Sequence, residues 1–210
     1  MDGADLLETV RESNATALDR LGSEKALVAA TDAALERERV LETAAAAEAR
    51  AVATFEAWAD DEPDDRAGAA FRDAAARERD HRDRVCGLGD VAASDPPADP
   101  LHEHLRGLEG TVERTAAGLV ARPLVASRTL LQVISFFINE GDSSAADVFR
   151  DLRAETDAQA EAGAGVVAAV CDGPDDRARA EAAAGRAIEV AYREYADSLE
   201  GMGIDPKPVC

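Results

Sequence analysis

The sequence is poor in lysine and in aromatic residues, and both shortages narrow its possible roles. Its two lysines are Lys25 and Lys207, and the formal net charge is −20. Because nothing in this charge pattern would neutralise phosphates, we expect no nucleic-acid partner. Aromatic residues make up only 4% of the chain, and alanine is abundant, which favours helix over strand. An acidic, lysine-poor composition also indicates a halophilic protein, since salt screens repulsion between carboxylates.

Cysteines and long apolar segments are scarce as well. Cys86, Cys171 and Cys210 lie far apart and form no Cys-x-x-Cys pair, which excludes a rubredoxin-type iron centre or a zinc ribbon. We expect them to be reduced thiols. The most apolar run, 130–138, is shorter than the roughly 20 residues of a membrane span, and the acidic N-terminus does not resemble a signal peptide. The sequence therefore predicts a cytoplasmic protein without a membrane partner.

Glycine, proline and acidic turns divide the rest of the chain into helical segments. The pattern predicts helices near residues 3–21, 24–60, 65–86, 101–139, 143–171 and 174–201. Pro123 lies inside the fourth helix and should kink or break it. We assign one all-α domain, residues 1–210, with an N-terminal helix in 1–22, hairpins in 24–86 and 101–171, and a C-terminal helix and tail in 174–210.

The two predicted hairpins share a weak internal repeat. When the chain is shifted by 78 residues, Glu62-Pro63-Asp64 aligns with Glu140-Gly141-Asp142, and Phe71-Arg72-Asp73 aligns with Phe149-Arg150-Asp151. The alignment predicts two similar hairpins packed as a four-helix bundle.

Three polar residues interrupt the apolar stripes of the first hairpin. Glu48 lies one heptad after Leu41 and one before Phe55, while Glu78 and His81 share the buried stripe of the next helix. Glu48 and Glu78 lie at similar distances from the intervening turn, roughly 18–20 Å at about 1.5 Å per residue. In an antiparallel hairpin the three side chains should therefore meet at one point.

Two carboxylates and an imidazole form a ligand set that suits iron, manganese or zinc. Since unpaired buried carboxylates are costly, Glu48, Glu78 and His81 predict a metal site. The alternative is a metal-free cluster in which these groups share protons and hydrogen bonds with Thr156 and Gln159.

The run Glu48-x-x-Ala51-x-x-x-Phe55-x-x-Trp58-Ala59, followed by an acidic turn, Phe71 and Glu78-x-x-His81, resembles one half of a rubrerythrin. That family belongs to the ferritin-like superfamily, and the resemblance covers about residues 40–160. It implies a ferritin-like four-helix bundle in which each of two duplicated hairpins contributes a Glu and a Glu-x-x-His to a di-iron site. It also implies a homodimer.

The second hairpin departs from this pattern. At the offset of 78, Glu48, Glu78 and His81 align with Ala126, Thr156 and Gln159, none of which supplies the expected ligand. The electron-transfer domain of full rubrerythrins is also absent from these 210 residues. The sequence therefore predicts a degenerate site that holds one iron, manganese or zinc ion, or none, and does not carry out the usual di-iron reaction.

Four other residues could modify this prediction. Glu155 is adjacent to a required position, but one residue along a helix rotates a side chain by about 100°. His102 and His104 could also complete the site, although a solvated helix start explains them more simply. Arg128 could pair with a carboxylate, but helical geometry turns it away from the stripe.

Two other functions remain open from the sequence. The first is an active metal-dependent oxidoreductase acting on peroxide or oxygen, with ligands completed by Glu155, by His102 or His104, or across a dimer. The second is a metal-free helical module for interaction or regulation. The sequence identifies neither a substrate nor a redox or protein partner.

Overall fold

The structure is a computed structural model that describes residues 2–91 and 96–207, and all regular secondary structure in these residues is helical. Cys210 lies outside the described residues. The helices are α1 (Gly3–Ser13), α2 (Ala15–Leu21), α3 (Lys25–Ala30), α4 (Arg37–Asp61), α5 (Asp65–Cys86), α6 (Pro100–Arg106), α7 (Thr111–Ala116), α8 (Arg122–Asn139), α9 (Ser143–Val170) and α10 (Pro174–Gly201), with a π-helical turn at Ala117–Ala121 between α7 and α8.

Three of the predicted helices are confirmed almost to the residue, as α5, α9 and α10. The other three are each interrupted. The predicted helix 3–21 is interrupted at Asn14. The predicted helix 24–60 is interrupted between α3 and α4, where Asp32 and Ala33 adopt positive φ angles of 52° and 62°. The predicted helix 101–139 is interrupted at Gly107 and starts again at Thr111.

Of the two effects predicted for Pro123, a kink or a break, the break is absent. It lies in the first turn of α8, directly after the π-helical turn. The backbone N–H of Arg122 donates to the carbonyl of Ala117, five residues earlier. A π turn of this kind is one way in which a helix continues past a proline that cannot donate a hydrogen bond. The helix from Thr111 to Asn139 therefore runs on without a gap.

This long helix is the one candidate for a membrane span among the described residues. Thr111–Asn139 has a mean hydropathy of 1.2 over its most apolar window, and 56% of that window is buried inside the bundle. Because a core helix passes the same test of length and composition, the finding is weak evidence for a membrane.

The core of the molecule is a helical bundle built on two hairpins. Helix α4 packs along α5, α8 packs along α9, and α5 also contacts α9. Asp64 accepts backbone hydrogen bonds at the start of α5, and Asp142 does the same at the start of α9. These two N-caps occupy equivalent positions in the 78-residue alignment, so both hairpins begin their second helix in the same way.

Two apolar clusters fill this bundle, with a polar layer between them. The first cluster includes Phe55 and Phe71, and the second includes Phe137 and Phe149, which stack at a centroid distance of 5.4 Å. Along α4, α5 and α9, residues of the two clusters flank buried polar side chains. These are Glu48, Glu78, His81, Thr156 and Gln159.

Close packing of α9 against the π-helical turn depends on Gly163. A Cβ atom added there would lie 2.7 Å from the carbonyl carbon of Leu119, closer than packed atoms approach. We expect Gly163→Ala to lower the free energy of unfolding by about 1–3 kcal/mol, because either backbone must shift. Gly165→Ala, on the same helix with no atom within 4 Å, should instead raise it by about 0.5–1 kcal/mol through helix propensity. Denaturant titration of both variants checks this pair, and equal effects would contradict it.

Candidate metal centre

Glu48, Glu78 and His81 meet in the polar layer, as their helical positions predict. One ligand atom from each lies within 4.8 Å of the others. The three residues are buried, with relative exposures of 5%, 0% and 0%. Their juxtaposition follows from the antiparallel packing of α4 and α5, which brings residues equally far from the turn to the same level. This group can hold a metal ion.

A fourth residue, Arg122, enters the same group from the start of α8. Its Nη1 donates to Glu78 Oε1 at 2.6 Å, and its Nη2 donates to Glu48 Oε2 at 3.1 Å. The guanidinium is 4% exposed, so it bridges two carboxylates away from solvent. A planar guanidinium is suited to this role, since its donors diverge toward two acceptors.

Sequence reasoning missed Arg122. It considered Arg128, which is half-buried on another face of α8, and it examined position 126 because that position aligns with Glu48. Arg122 lies one turn before Ala126 on the same face of the helix, and from there its side chain reaches both carboxylates. The available signal was an arginine set between the apolar segments Ala116–Ala121 and Pro123–Val125, where a charge needs a buried partner.

Burial and the charges around them shift the pKa values of Glu48 and Glu78 in opposite directions. Burial and the adjacent Glu78 charge raise the pKa of Glu48 well above its ordinary value, against the effect of Arg122. Burial alone would also raise the pKa of Glu78, but Arg122, the Glu48 carboxyl group and His81 together lower it. Glu48 is therefore the protonated member of the pair and Glu78 the ionised one, and the Glu78 charge balances Arg122.

His81 is fixed from its outer side by α9. Its Nε2 lies 2.9 Å from Glu155 Oε2, and the other oxygen of Glu155 accepts from Arg84 Nη1, also at 2.9 Å. Burial opposes ionisation of Glu155, but the hydrogen bonds from Arg84 and His81 lower its pKa. Because an ionised carboxylate only accepts hydrogen bonds, Nε2 carries the proton. In the neutral imidazole the lone pair is then on Nδ1.

Several buried atoms in this layer have no hydrogen-bond partner among the described residues. They include His81 Nδ1, Glu78 Oε2 and both polar atoms of the Gln159 amide. Buried polar atoms are rarely left unpaired unless something binds them. A histidine that donates one ring N–H to a carboxylate and keeps the other nitrogen free is typical of a metal ligand. The donor set present here therefore fits one metal ion.

The second hairpin contributes much weaker metal ligands to the polar layer. Thr156 turns its hydroxyl to the carbonyl of Leu152 in its own helix. Gln159 is buried at 3% exposure and neutral, and Ala126 has no donor. Glu155 contacts His81 rather than joining the ligand group. The anionic ligands of a second metal ion are therefore missing from the described part of the bundle.

The two histidines of α6 lie outside the ligand group. His102 is not solvated as expected: it is 4% exposed, and its Nδ1 lies 2.7 Å from Asp99 Oδ1. Asp99 is also the N-cap of α6 and accepts from the His102 backbone N–H, so one carboxylate holds both the backbone and the side chain of His102. His104 is half-buried, and burial lowers its pKa.

A cavity of about 740 Å³ lies between α4, α8 and α10 and reaches the metal centre from one side. Glu48 and Arg122 line it, whereas Glu78 and His81 do not. His102 and Glu194 belong to the same wall. The cavity therefore connects the Glu48 side of the centre with a second set of polar groups on α6 and α10.

Glu194 should make stability depend on pH near neutrality. Burial and the charge of Asp99 raise its pKa to about 7, against a smaller opposing effect of Arg50. A raised pKa means that the protonated folded form is favoured, so this contribution is complete below the ordinary value of 4.5 and is lost as pH rises to about 7.

We therefore expect the wild type to lose stability relative to Glu194→Gln between these two pH values, with a constant difference above them. Denaturant unfolding across this range measures the effect. Glu200→Gln, an exposed change on the same helix, should follow the wild type throughout. Parallel curves for the wild type and Glu194→Gln would contradict the assignment.

Comparison of the chain with protein-family models, with curated proteins and with solved structures finds no match.

Proposed function

We propose that this chain is a rubrerythrin-related, ferritin-like protein that binds one metal ion at Glu48, Glu78 and His81. In this proposal it does not carry out two-metal chemistry. The observation that supports it most is the pair of unpartnered buried atoms, His81 Nδ1 and Glu78 Oε2. Each belongs to a side chain whose other polar atom is already held, by Glu155 and by Arg122.

The ion that fits this mixed carboxylate and imidazole set is iron, manganese or zinc. When bound, it would supply Lewis acidity, and iron or manganese would also supply redox chemistry. The protein residues have separate tasks. Glu155 orients the His81 ring, Glu78 divides its oxygens between Arg122 and the ligand position, and Arg122 provides a fixed positive charge beside both carboxylates.

Arg122 also explains how the bundle tolerates the loss of a second ligand set. Its guanidinium provides a cation between two carboxylates that the second hairpin leaves without further anionic neighbours. Because a positive charge there repels another cation, the arrangement supports one metal ion rather than two. The alternative of an active oxidoreductase requires extra ligands, and Glu155, His102 and His104 all lie outside the ligand group.

A metal-free helical module for interaction is the second candidate. The observation in its favour is the same bridge from Arg122 to Glu48 and Glu78. With Glu48 protonated, this bridge is already balanced in charge and needs no ion. In that case the layer would determine how the helices pack, a role that buried polar groups have in some proteins.

Metal titration in concentrated KCl separates these candidates. Chelator-treated protein is titrated with Mn²⁺, Zn²⁺ and, without oxygen, Fe²⁺, while heat and metal content per chain are measured. We expect one ion per chain, with binding weakened at least about 100-fold in His81→Ala, since a direct ligand should matter no less than an outer partner. His104→Ala is the matched control and should bind as the wild type does.

Two results would count against the proposal. If the wild type binds no ion, and metal does not change its stability, the metal-free module is correct. If it binds two ions per chain and turns over peroxide with an added reductant, the oxidoreductase is correct.

A further inference from the structure

The cavity beside the metal centre has an unusual balance of charge. Its wall contains more carboxylates than guanidinium groups. The carboxylates are Asp32, Glu42, Glu48, Asp99 and Glu194, and the guanidinium groups are those of Arg39, Arg50 and Arg122.

All three arginines of this wall are already paired with wall carboxylates. Arg39 lies 3.5 Å from Asp32 and 3.9 Å from Glu42. Arg50 lies 3.5 Å from Asp99, and Arg122 lies 3.1 Å from Glu48. No positive side chain of the wall remains available for an anionic ligand.

Of the five carboxylates in the wall, Glu194 is the one that forms an ion pair with none of the three arginines. Within residues 2–91 and 96–207 it has no ion pair within 4.0 Å, and only the Leu101 backbone N–H and the more distant Arg50 offset part of its burial. It is half-buried in α10, beside the start of α6. A carboxylate withdrawn from water without a cation is unfavourable, so a positively charged ligand would stabilise it.

His102 supplies a second acceptor on the same wall. Its side chain is 5% exposed, and its Nδ1 lies 2.7 Å from Asp99 Oδ1. Since the carboxylate of Asp99 only accepts, the ring proton is on Nδ1 and the lone pair is on Nε2. Burial lowers the pKa of His102 and keeps the ring neutral, although Asp99 opposes this effect. His102 Nε2 is buried and has no partner among the described residues.

When Glu194 is ionised, its carboxylate and His102 Nε2 are both acceptors, so the ligand that they suit is a donor. The rest of the wall is largely apolar and includes Leu27, Val40, Leu101, Val125, Leu130 and Val133. A volume of about 740 Å³ is within the range of small-molecule sites, roughly 300–1,000 Å³.

We propose that this cavity binds a small organic ammonium ion with an apolar body. Its charged nitrogen lies at Glu194, His102 Nε2 accepts a further hydrogen bond, and the apolar body packs between α4 and α8. This proposal does not depend on metal binding, because Glu194 and His102 are outside the Glu48–Glu78–His81 group.

Calorimetric titration with benzylammonium and with neutral benzyl alcohol tests the proposal on chelator-treated protein in KCl, at a pH above the Glu194 pKa of about 7 so that this carboxyl group is ionised. We expect benzylammonium to bind about tenfold more tightly, equivalent to one partly buried ion pair. Glu194→Gln should remove this preference while leaving the affinity for benzyl alcohol unchanged. Glu200→Gln should keep the preference, and His102→Phe should weaken the binding of both ligands.

Three outcomes would overturn the proposal. The first is no binding of benzylammonium, or binding no tighter than that of benzyl alcohol. The second is a preference that survives in Glu194→Gln, which would place the ammonium elsewhere. The third is a preference that is absent in KCl but present in LiCl at the same ionic strength, which would assign the cavity to an inorganic cation. Circular dichroism of each variant verifies that a loss of binding is not a loss of fold.

Discussion

Replacing Arg122 with methionine should lower the free energy of unfolding by about 3–5 kcal/mol in the absence of divalent metal, the usual cost of removing one partner of a buried ion pair. Methionine retains much of the volume of the side chain and removes its charge and hydrogen bonds. Glu48 and Glu78 would then lie together, buried without a cation. Denaturant unfolding in concentrated KCl, with a chelator present, measures the change.

Arg128→Met is the matched control for this experiment. Arg128 is on the same helix but is half-buried and lies outside the polar layer, so its replacement should change stability by less than about 1 kcal/mol. A second variant, Glu78→Gln/Arg122→Met, should recover part of the loss because it removes the negative charge that Arg122 balanced. Equal effects of Arg122→Met and Arg128→Met would show that the bridge contributes nothing.

The same Arg122→Met change should strengthen metal binding at least about tenfold, because it removes a positive charge that lies against two of the three ligands. Saturating metal should then restore much of the lost stability. A ligand at 100 times its dissociation constant stabilises the folded state by about 2.7 kcal/mol. Titration with Mn²⁺ or Zn²⁺ and unfolding at saturating metal measure both effects.

His81→Ala/Arg122→Met separates this explanation from non-specific binding to an acidic protein. If the ion binds at Glu48, Glu78 and His81, the double variant should lose both the tighter binding and the recovered stability. Recovery that persists without His81 would place the ion elsewhere on a chain of net charge −20 and would contradict the assignment.

The sequence was sufficient to predict the meeting of Glu48, Glu78 and His81. It contains the heptad positions of the three residues and their distances from one turn, and antiparallel packing of α4 and α5 converts these into proximity. The sequence also predicted that Glu155 points away from the ligand position, and the ligand group does not include it. A rotation of about 100° keeps it out of the ligand group, and it holds His81 from the side instead.

Arg122 could not be predicted by aligning the hairpins, because the alignment compares equivalent positions and the arginine acts from one turn away. The length of its side chain lets its guanidinium reach Glu48 and Glu78 from that position. The π-helical turn before Arg122 could not be predicted from the sequence either. Pro123 signals a missing hydrogen bond, but the sequence does not say whether the helix will kink or take in an extra residue.

The interruption between α3 and α4 is a second feature that the sequence pattern could not predict. Residues 31–36 contain no glycine or proline, yet Asp32 and Ala33 both adopt positive φ. Alanine disfavours this conformation, so tertiary packing must determine it. Leu27 and Val40, on either side of the break, are both buried in the same apolar cluster. A local pattern cannot report such a constraint.

The central claim is that one metal ion binds beside Arg122, at Glu48, Glu78 and His81. Anomalous diffraction from a crystal saturated with Mn²⁺ tests it most directly. The account predicts a single anomalous peak per chain, bounded by these three side chains, with the Arg122 guanidinium still in contact with Glu48 and Glu78. Two peaks in the bundle, or no peak at this position, would contradict it.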